Sequence, residues 1–169
     1  IEAVDSYPSY LVDILKSLAP KKCKGDPKIV ILTPGHLNSA YYEHSFLADL
    51  MGVELVQGSD LYVNNNITYM KTTEGPKKID IIYRRIDDEY LDPLYYKNDS
   101  LLGVPGIINS YKTGHVNICS APGAGLADDK AVYTFMPEII KFYLGEEPIL
   151  KNIKTWRCYD VKESKYVIN

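Results

Sequence analysis

A chain of 169 residues with 46% hydrophobic residues is long enough for one domain, and a domain of this size buries roughly 70% of its unfolded surface. The net charge is only -3 and the basic residues are scattered, which argues against nucleic-acid binding. We find no signal peptide and no apolar run approaching the roughly 18 residues of a membrane span, so we expect a soluble, cytoplasmic protein.

The first elements in chain order are a helix, a linker and a strand. Apolar residues recur at helical spacing between Leu11 and Leu18, which indicates a short amphipathic helix. A polar linker follows and ends at Pro27. The β-branched run Lys28–Thr33 is typical of a strand that is buried on both faces.

The next two elements complete a β-α-β unit. We predict a helix from about position 39 or 40 to Met51, capped by Asn38 or Ser39 and ended by Gly52. A second strand follows at Val53–Gln57. Strands joined by such a crossover are parallel.

A hairpin and a further strand come next. Leu61–Val63 and Ile67–Thr72 predict a β-hairpin whose turn lies at the three asparagines 64–66, because asparagine tolerates the left-handed conformation of tight turns. The apolar run Ile79–Tyr83 predicts a strand that ends in a cluster of charged residues.

The last part of the chain predicts two helices with a strand between them. The first helix runs from Val104 to Lys112 or Thr113, with Asp99 or Ser100 as its cap and Gly114 as its stop. A strand follows at Val116–Cys119. The second helix covers about Asp128–Leu144 and is ended by Gly145. Pro137 should kink or break the last helix.

This order of elements predicts the α/β class, as a three-layer, open, mostly parallel Rossmann-like sheet with an inserted β-hairpin. We expect a single domain over residues 1–169, with a core at about 28–150, a helix and linker at 1–27 and an extended segment at 151–169. Three polar segments follow strands, so we expect them along one edge of the sheet, where open α/β proteins bind ligands.

The first polar segment is Thr33–Ser39, which precedes a helix and is a candidate anion cradle. It lacks the G-x-G-x-x-G and G-K-[ST] patterns, so neither dinucleotide nor P-loop binding is indicated. His36 and His44 flank it, and a metal role would require a third ligand. We therefore favour surface or helix-packing roles for both histidines. Cys23, Cys119 and Cys158 lie far apart, which also argues against a metal cage.

The second polar segment begins with Arg84 and Arg85 and continues with Asp87, Asp88 and Asp92. Each guanidinium offers a planar fork of donors that suits carboxylate or phosphate, so the pair is a candidate anion site. In the other interpretation, the arginines pair with these aspartates and pin the loop. The sequence leaves both open.

The third polar segment, Ser120–Lys130, contains glycines that let the backbone approach a ligand. Asp128 or Asp129 can cap the following helix. Lys130 lies in the first helical turn, where a positive charge is unfavourable, which indicates either an aspartate partner or a bound anion. No nucleophile elbow and no metal-binding histidine pattern occurs, so we assign neither catalytic residues nor metal ligands.

Several blocks together resemble one family. They span roughly Tyr7 to Trp156 and include T-P-G-H-L-N-S-A-Y-Y-E-H-S-F-L-A, I-Y-R-R-I-D-D-E-Y-L-D-P-L, D-S-L-L-G-V-P-G, G-A-G-L-A-D-D-K-A-V-Y and F-Y-L-G-E-E-P-I-L. The set resembles the circularly permuted ATP-grasp family (type 2), in the group of bacterial proteins similar to glutathionylspermidine synthase. The resemblance implies a fragment, the central Rossmann-like or pre-ATP-grasp domain. In that family, acidic metal ligands precede this domain, and an ATP-binding lysine and glycine-rich loop follow it.

The resemblance also implies ligands. ATP and Mg²⁺ are expected for the full-length family and not for this fragment alone, and Arg84 and Arg85 are expected to hold phosphate or substrate carboxylate. Ser120 and Ala124 stand where the family pattern has asparagine and threonine. The candidate substrate- or phosphate-binding residues are Arg84, Arg85, Asn38, Ser39, His44, Asp87, Asp88 and Lys130.

On this basis we expect the substrate-binding domain of an ATP-dependent carboxylate–amine ligase, inactive by itself. Its partners would be a small, peptide-like carboxylate or amine substrate and the remaining ATP-grasp segments of the parent chain, with no nucleic acid and no membrane. One alternative is a non-catalytic module that binds a small anion or peptide. Another is a structural interaction domain, which the fifteen tyrosines would suit.

Overall fold

The computed structural model describes residues 4–168, and its contacts divide the chain into two compact units with the boundary between Pro122 and Gly123. Each unit is described by itself below. A four-stranded parallel sheet and a three-stranded antiparallel sheet, both accompanied by helices, confirm the α/β class. The single-domain organisation and the Rossmann-like detail stay predictions.

The first unit contains both sheets. Its parallel sheet has the order β2-β1-β6-β7, with β1 (Ile29–Leu32), β2 (Glu54–Val56), β6 (Ile81–Arg84) and β7 (Asn117–Cys119). Its antiparallel sheet contains β3 (Leu61–Asn64), β4 (Ile67–Met70) and β5 (Lys77–Lys78). Its α-helices are α1 (Tyr7–Ser17), α2 (Tyr41–Met51), α3 (Asp88–Leu91) and α4 (Ile107–Lys112), and a short 3-10 helix covers Gly58–Asp60.

The core lies on both faces of the parallel sheet. All four residues of β1 are buried, because successive side chains of a strand point to opposite faces and both faces are covered. Val30 and Leu32 join a cluster with residues of α4 and the antiparallel sheet. Ile29 and Ile31 join a second cluster with residues of α1 and α2. The predicted doubly buried strand is therefore confirmed.

The predicted β-α-β unit and hairpin are also confirmed. β1 pairs in parallel with β2, and Gly52 ends α2 in the left-handed conformation, with φ 66°. β3 and β4 pair antiparallel across Asn65 and Asn66, whose φ values are 50° and 61°. Two successive positive φ values are the requirement of a tight hairpin turn whose twist matches that of the strands. β5 adds a third strand to this hairpin.

The start of α4 differs from the sequence prediction. The helix begins at Ile107 rather than Val104, and neither Asp99 nor Ser100 caps it. Instead, the buried carboxylate of Asp92 accepts hydrogen bonds from the backbone N–H groups of Gly106 (3.1 Å) and Ile108 (3.0 Å). A side chain distant in sequence thus supplies the acceptor that a local capping residue usually provides.

The second unit contains a 3-10 helix (Ala124–Asp128) and the helices α5 (Lys130–Tyr133), α6 (Met136–Leu144) and α7 (Val161–Ile168). Pro137 lies in the first turn of α6, so the predicted break is confirmed, since proline is tolerated there and not in a helix interior. Gly145 ends α6 as predicted, with φ 69°. The prediction of an extended segment at 151–169 is wrong for Val161–Ile168, which form α7, whereas 151–157 contain no helix and 169 lies outside the described residues.

Candidate functional site

The candidate site of the first unit lies at the carboxyl edge of the parallel sheet. β1, β2, β6 and β7 all run in the same direction, so the loops that follow them emerge along one edge. From β1 the chain continues through α2 to β2 on one side, and from β6 it continues through α3 and α4 to β7 on the other. Loops that leave neighbouring strands in opposite directions form a crevice, and this is where open α/β sheets bind ligands.

Arg84 lies at this edge and is held by the protein itself. Its side chain is only 7% exposed and forms a 3.0 Å ion pair with Asp88. The guanidinium also donates to three backbone carbonyl oxygens, those of Ile86 (2.7 Å), Ser120 (3.1 Å) and Ala121 (3.2 Å). The interpretation in which an arginine pins the loop is therefore the one that the structure supports for Arg84.

Arg85 is the exposed arginine of the pair. Its backbone N–H donates to the carbonyl oxygen of Leu32 over 2.8 Å, which continues the pairing of β1 with β6. Its guanidinium lies 5.9 Å from the ring centre of Tyr83, where a cation–π interaction favours it. Arg85 thus presents a positive charge to solvent beside the crevice, and its role in anion binding stays a prediction.

His44 packs beneath the loop that follows β1. The ring is 3% exposed, and its Nδ1 atom lies 2.9 Å from Oγ1 of Thr33, which also accepts from the backbone N–H of Gly35 over 3.3 Å. Burial lowers the pKa of His44, and the nearby positive charge of Arg85 lowers it further. The helix-packing role expected for His44 is confirmed, and the lowered pKa favours the neutral imidazole. Its ligand-binding role stays a prediction.

Gln57 is a residue of this edge that the sequence analysis missed. It directly follows β2, and a β-carbon at Gly35 would lie 2.5 Å from its Oε1 atom. Gly35 also has a φ of 102°, which side-chain-bearing residues rarely adopt. The loop after β1 therefore packs closely on Gln57. The signal that could have found Gln57 is its position after a strand, the same criterion that selected the other segments.

The remaining predicted residues of the first unit play local roles in the structure. Oδ1 of Asn38 accepts from the backbone N–H of Ala40 over 2.9 Å, just before α2, whereas Ser39 is exposed. The N-cap of α2 is Ala40, whose side chain makes no capping hydrogen bond, so the predicted cap at Asn38 or Ser39 is wrong. Asp87 is exposed and precedes α3, and its side chain does not cap that helix. Asp88 faces Arg84, as described above. No described contact joins Asn38 or Ser39 to Arg85, so their ligand-binding roles stay predictions.

Asp92 corrects one part of the loop-pinning interpretation. Its carboxylate is fully buried, but it accepts from backbone N–H groups rather than from an arginine. A third such bond comes from Leu94, over 3.0 Å. Of the aspartates in this segment, Asp88 is the partner of Arg84, and Asp92 instead fixes the chain before α4.

Asp128, Asp129 and Lys130 belong to the second unit. Oδ1 of Asp129 accepts from the backbone N–H of Ala131 over 2.8 Å, which confirms Asp129 as the helix cap. Lys130 is exposed at the first position of α5, and Ala124 begins the 3-10 helix. The ligand-binding role of Lys130 stays a prediction.

The side chains and helices of the described residues bear on metal binding and on membrane insertion. Between residues 4 and 168, no group of three or more His, Cys, Asp or Glu side chains is arranged to hold a metal ion. The helices of the same residues are all too short or too polar to cross a bilayer. Cys23 and Cys119 are half-buried, Cys158 is exposed, and all three are free thiols.

Comparison with known proteins gives the family. A family model described as "A circularly permuted ATPgrasp" matches residues 1–169. The chain belongs to the circularly permuted ATP-grasp family. The resemblance found in the sequence motifs is thereby confirmed at the level of the family, whereas the similarity to glutathionylspermidine synthase stays a prediction.

Relatives extend this assignment. Uncharacterized proteins of Synechocystis sp. and Mycobacterium tuberculosis are each 50% identical over 169 residues, which is 100% of this chain and 35% and 30% of the respective relative. A Frankia alni protein named "Putative glutamate--cysteine ligase 2-3" is 36% identical over 161 residues, which is 95% of this chain and 19% of that protein. The chain therefore spans about a third or less of the length of these relatives.

Proposed function

We propose that this chain is the central, substrate-binding part of an ATP-dependent carboxylate–amine ligase and is inactive by itself. Membership of the circularly permuted ATP-grasp family supports the reaction class. The name of the Frankia alni relative supports amino acids or small peptides as substrates, because it specifies glutamate and cysteine. Within this proposal, the parallel sheet is Rossmann-like, the parent protein is cytoplasmic, and a peptide such as glutathione is a suitable first substrate to test.

The observation that carries the proposal is the exposed guanidinium of Arg85 at the crevice between β1 and β6. The guanidinium of Arg84 donates to backbone carbonyl oxygens and pairs with Asp88. We therefore propose that Arg84 positions the loops and does not bind the ligand. The neutral ring of His44 adds no charge, which leaves Arg85 to provide the attraction for a carboxylate or phosphate.

The side chains of the described residues show whether this chain could bind Mg²⁺. A magnesium site needs carboxylate oxygens that converge on one point, and residues 4–168 offer no group of three acidic, histidine or cysteine side chains that does so. These residues do not fit a magnesium site. We therefore assign no step of the reaction to ATP or Mg²⁺ bound by this chain.

Calorimetric titration of the chain with inorganic phosphate, ATP and glutathione tests the anion site. We expect one of these ligands to bind and Arg85→Ala to weaken its binding about tenfold or more, since hydrogen bonds to charged groups contribute about 1.5–3 kcal/mol. Lys16→Ala is the matched control, because Lys16 is also a cation but pairs with Asp26, before β1 at the opposite edge of the sheet. Equal losses for both variants, or no binding at all, would contradict the proposed site.

A second experiment separates the ligase from the non-catalytic binding module. The full-length Synechocystis relative should release phosphate from ATP when a glutathione-like carboxylate and an amine are supplied together, whereas this chain alone should not. Ligand binding by the chain without any turnover by the full-length relative would favour the binding module.

A further inference from the structure

The second unit has helices, but none of its described residues is buried. In the part of the chain described after Pro122, from 123 to 168, every residue is at least partly exposed. Large apolar side chains are among the most exposed, with Ile149 at 94%, Leu150 at 83% and Ile153 at 81%. Monomeric domains rarely leave so many large apolar side chains in water, and contiguous apolar patches usually mark an interaction surface.

Helices α5 and α6 carry the most regular part of this surface. Ile139 and Phe142 lie three positions apart on one side of α6. Val132 of α5 and Phe135, at the junction of the two helices, face the same groove. Together with Glu138 and Tyr143, these four residues line this open groove of about 480 Å³. An amphipathic stripe of this kind is stable in water when its apolar side is covered.

The contacts inside the second unit are hydrogen bonds, ion pairs and ring contacts, among them the guanidinium of Arg157, which lies 5.0 Å from the ring centre of Phe135. The guanidinium of Arg157 is paired with Glu163 over 3.0 Å, and the side chain of Asn152 donates to the carbonyl oxygen of Tyr133 over 2.9 Å. Ion pairs near the protein surface contribute little to stability compared with the conformational entropy that ordering a residue costs. These contacts shape the segment locally, but they do not replace a hydrophobic core.

We propose that the apolar surface of the second unit, defined by Val132, Phe135, Ile139, Phe142 and Tyr143, is an interface covered by a segment of the same polypeptide outside residues 1–169. The length of the relatives supports this occupant, because the matched region leaves about two thirds of the Synechocystis and Mycobacterium tuberculosis proteins outside it. A segment tethered to the same chain is present at an effective concentration of about millimolar, which favours it over a second copy at ordinary cellular concentration. The proposal rests on the part of the proposed function that makes this chain a segment of a longer polypeptide, and it does not require ligase activity.

Hydrogen–deuterium exchange, read by mass spectrometry, tests this interface without any activity measurement. We expect the amides of α5, α6 and 145–153 to exchange rapidly in this chain, while those of β1 and β6 are protected. In the full-length Synechocystis relative, the amides corresponding to α5 and α6 should exchange at least about tenfold more slowly than in this chain.

Light scattering with size-exclusion chromatography measures the oligomeric state and so tests whether a second copy of this chain is the occupant. A monomeric chain whose α5 and α6 are already protected would overturn the proposal, since no occupant would then be needed. Protection that appears only in a concentration-dependent dimer would overturn it in favour of a second copy. Rapid exchange in both this chain and the full-length relative would overturn it as well.

A substitution in the stripe provides an independent measurement. Phe142→Ser should leave the melting temperature of this chain unchanged, because the side chain is 80% exposed and packs on no core. Leu101→Ser is the matched control, since Leu101 is 93% exposed in the first unit. A clear loss of melting temperature for Phe142→Ser alone would show that the surface is covered within this chain and would contradict the proposal.

Discussion

Arg84 Nε lies 3.1 Å from the carbonyl oxygen of Ser120, and this hydrogen bond connects the end of β6 to the chain that follows β7. The neighbouring carbonyl of Ala121 accepts from the same guanidinium. Two loops of the sheet edge, separated by 36 positions in the sequence, are therefore held by one side chain. Arg85, its neighbour in the sequence, is left to face solvent.

Arg84→Ala should destabilise the first unit by about 1–3 kcal/mol, because it removes a largely buried guanidinium together with its ion pair to Asp88 and its hydrogen bond to the carbonyl oxygen of Ile86. Arg85→Ala should change the free energy of unfolding by less than about 0.5 kcal/mol, as is usual for an exposed side chain. Urea unfolding of both variants measures the difference. Equal losses would mean that the division of roles between the two arginines is wrong.

Asp92→Ala should destabilise the chain by about 2–4 kcal/mol, because three backbone N–H groups lose their acceptor and two of these lie at the start of α4. Asp92→Asn should cost less, since one side-chain oxygen remains to accept hydrogen bonds. In thermal unfolding, the melting temperature should be highest for wild type, lower for Asp92→Asn and lowest for Asp92→Ala. An asparagine variant that is less stable than the alanine variant would argue against capping by this carboxylate.

Gly103→Ala should cost about 1–3 kcal/mol or more, because its added β-carbon would overlap the backbone carbonyl oxygens of Tyr90 and Leu91. Gly114→Ala is a suitable comparison. Gly114 has a φ of 69° but open space around it, so the substitution should cost only the backbone strain of about 1–2 kcal/mol. Chemical denaturation at equilibrium compares the two, and a harmless Gly103→Ala would mean that these backbones are not in close contact.

The pH dependence of stability should carry a contribution from His44. Burial and Arg85 lower the pKa of His44 in the folded state, while Glu43 opposes them, so below the usual value of 6.5 the unfolded chain binds a proton that the folded chain does not. Stability therefore falls as the pH falls through about 6.5, until the folded pKa is reached. His44→Asn, which can still accept from Thr33, should reduce this fall.

His115 contributes in the same direction, and the experiment has to separate the two. Burial lowers the pKa of His115, and Lys22 and Lys78 lower it further. Urea unfolding between about pH 7.5 and 5.5, for wild type, His44→Asn and His115→Asn, assigns the share of each histidine. A pH profile of His44→Asn that coincides with that of wild type would show that His44 titrates normally in the fold.

The strongest local patterns predicted the elements well. The β-branched run at β1, the asparagine turn at 64–66 and the glycine stop at Gly52 are signals that neighbouring residues determine. The start of α4 failed because its acceptor, Asp92, lies 14 positions before the N–H of Gly106. Sequence-local capping rules contain no information on such a distant partner.

The candidate site was predictable in place but not in the role of each residue. Strand order placed Arg84 and Arg85 at the carboxyl edge, which the structure confirms. Their different environments depend on the carbonyls of Ser120 and Ala121, which are remote in sequence, so pattern reasoning treated the two arginines alike. For α6 as well, the spacing of apolar residues predicts an apolar face of the helix but gives no information on which part of the protein contacts that face.

The pairing of β1 with β6 also shapes the way in which the first unit folds. Lys28 and Asp80, which precede these central strands and share a hydrogen bond, are 52 positions apart. Closing a loop of this length costs more chain entropy than forming the hairpin β3–β4, whose strands are joined by a two-residue turn. The hairpin can form locally and early, whereas the crevice beside Arg85 exists only after the central strands have met, so it is assembled late in folding.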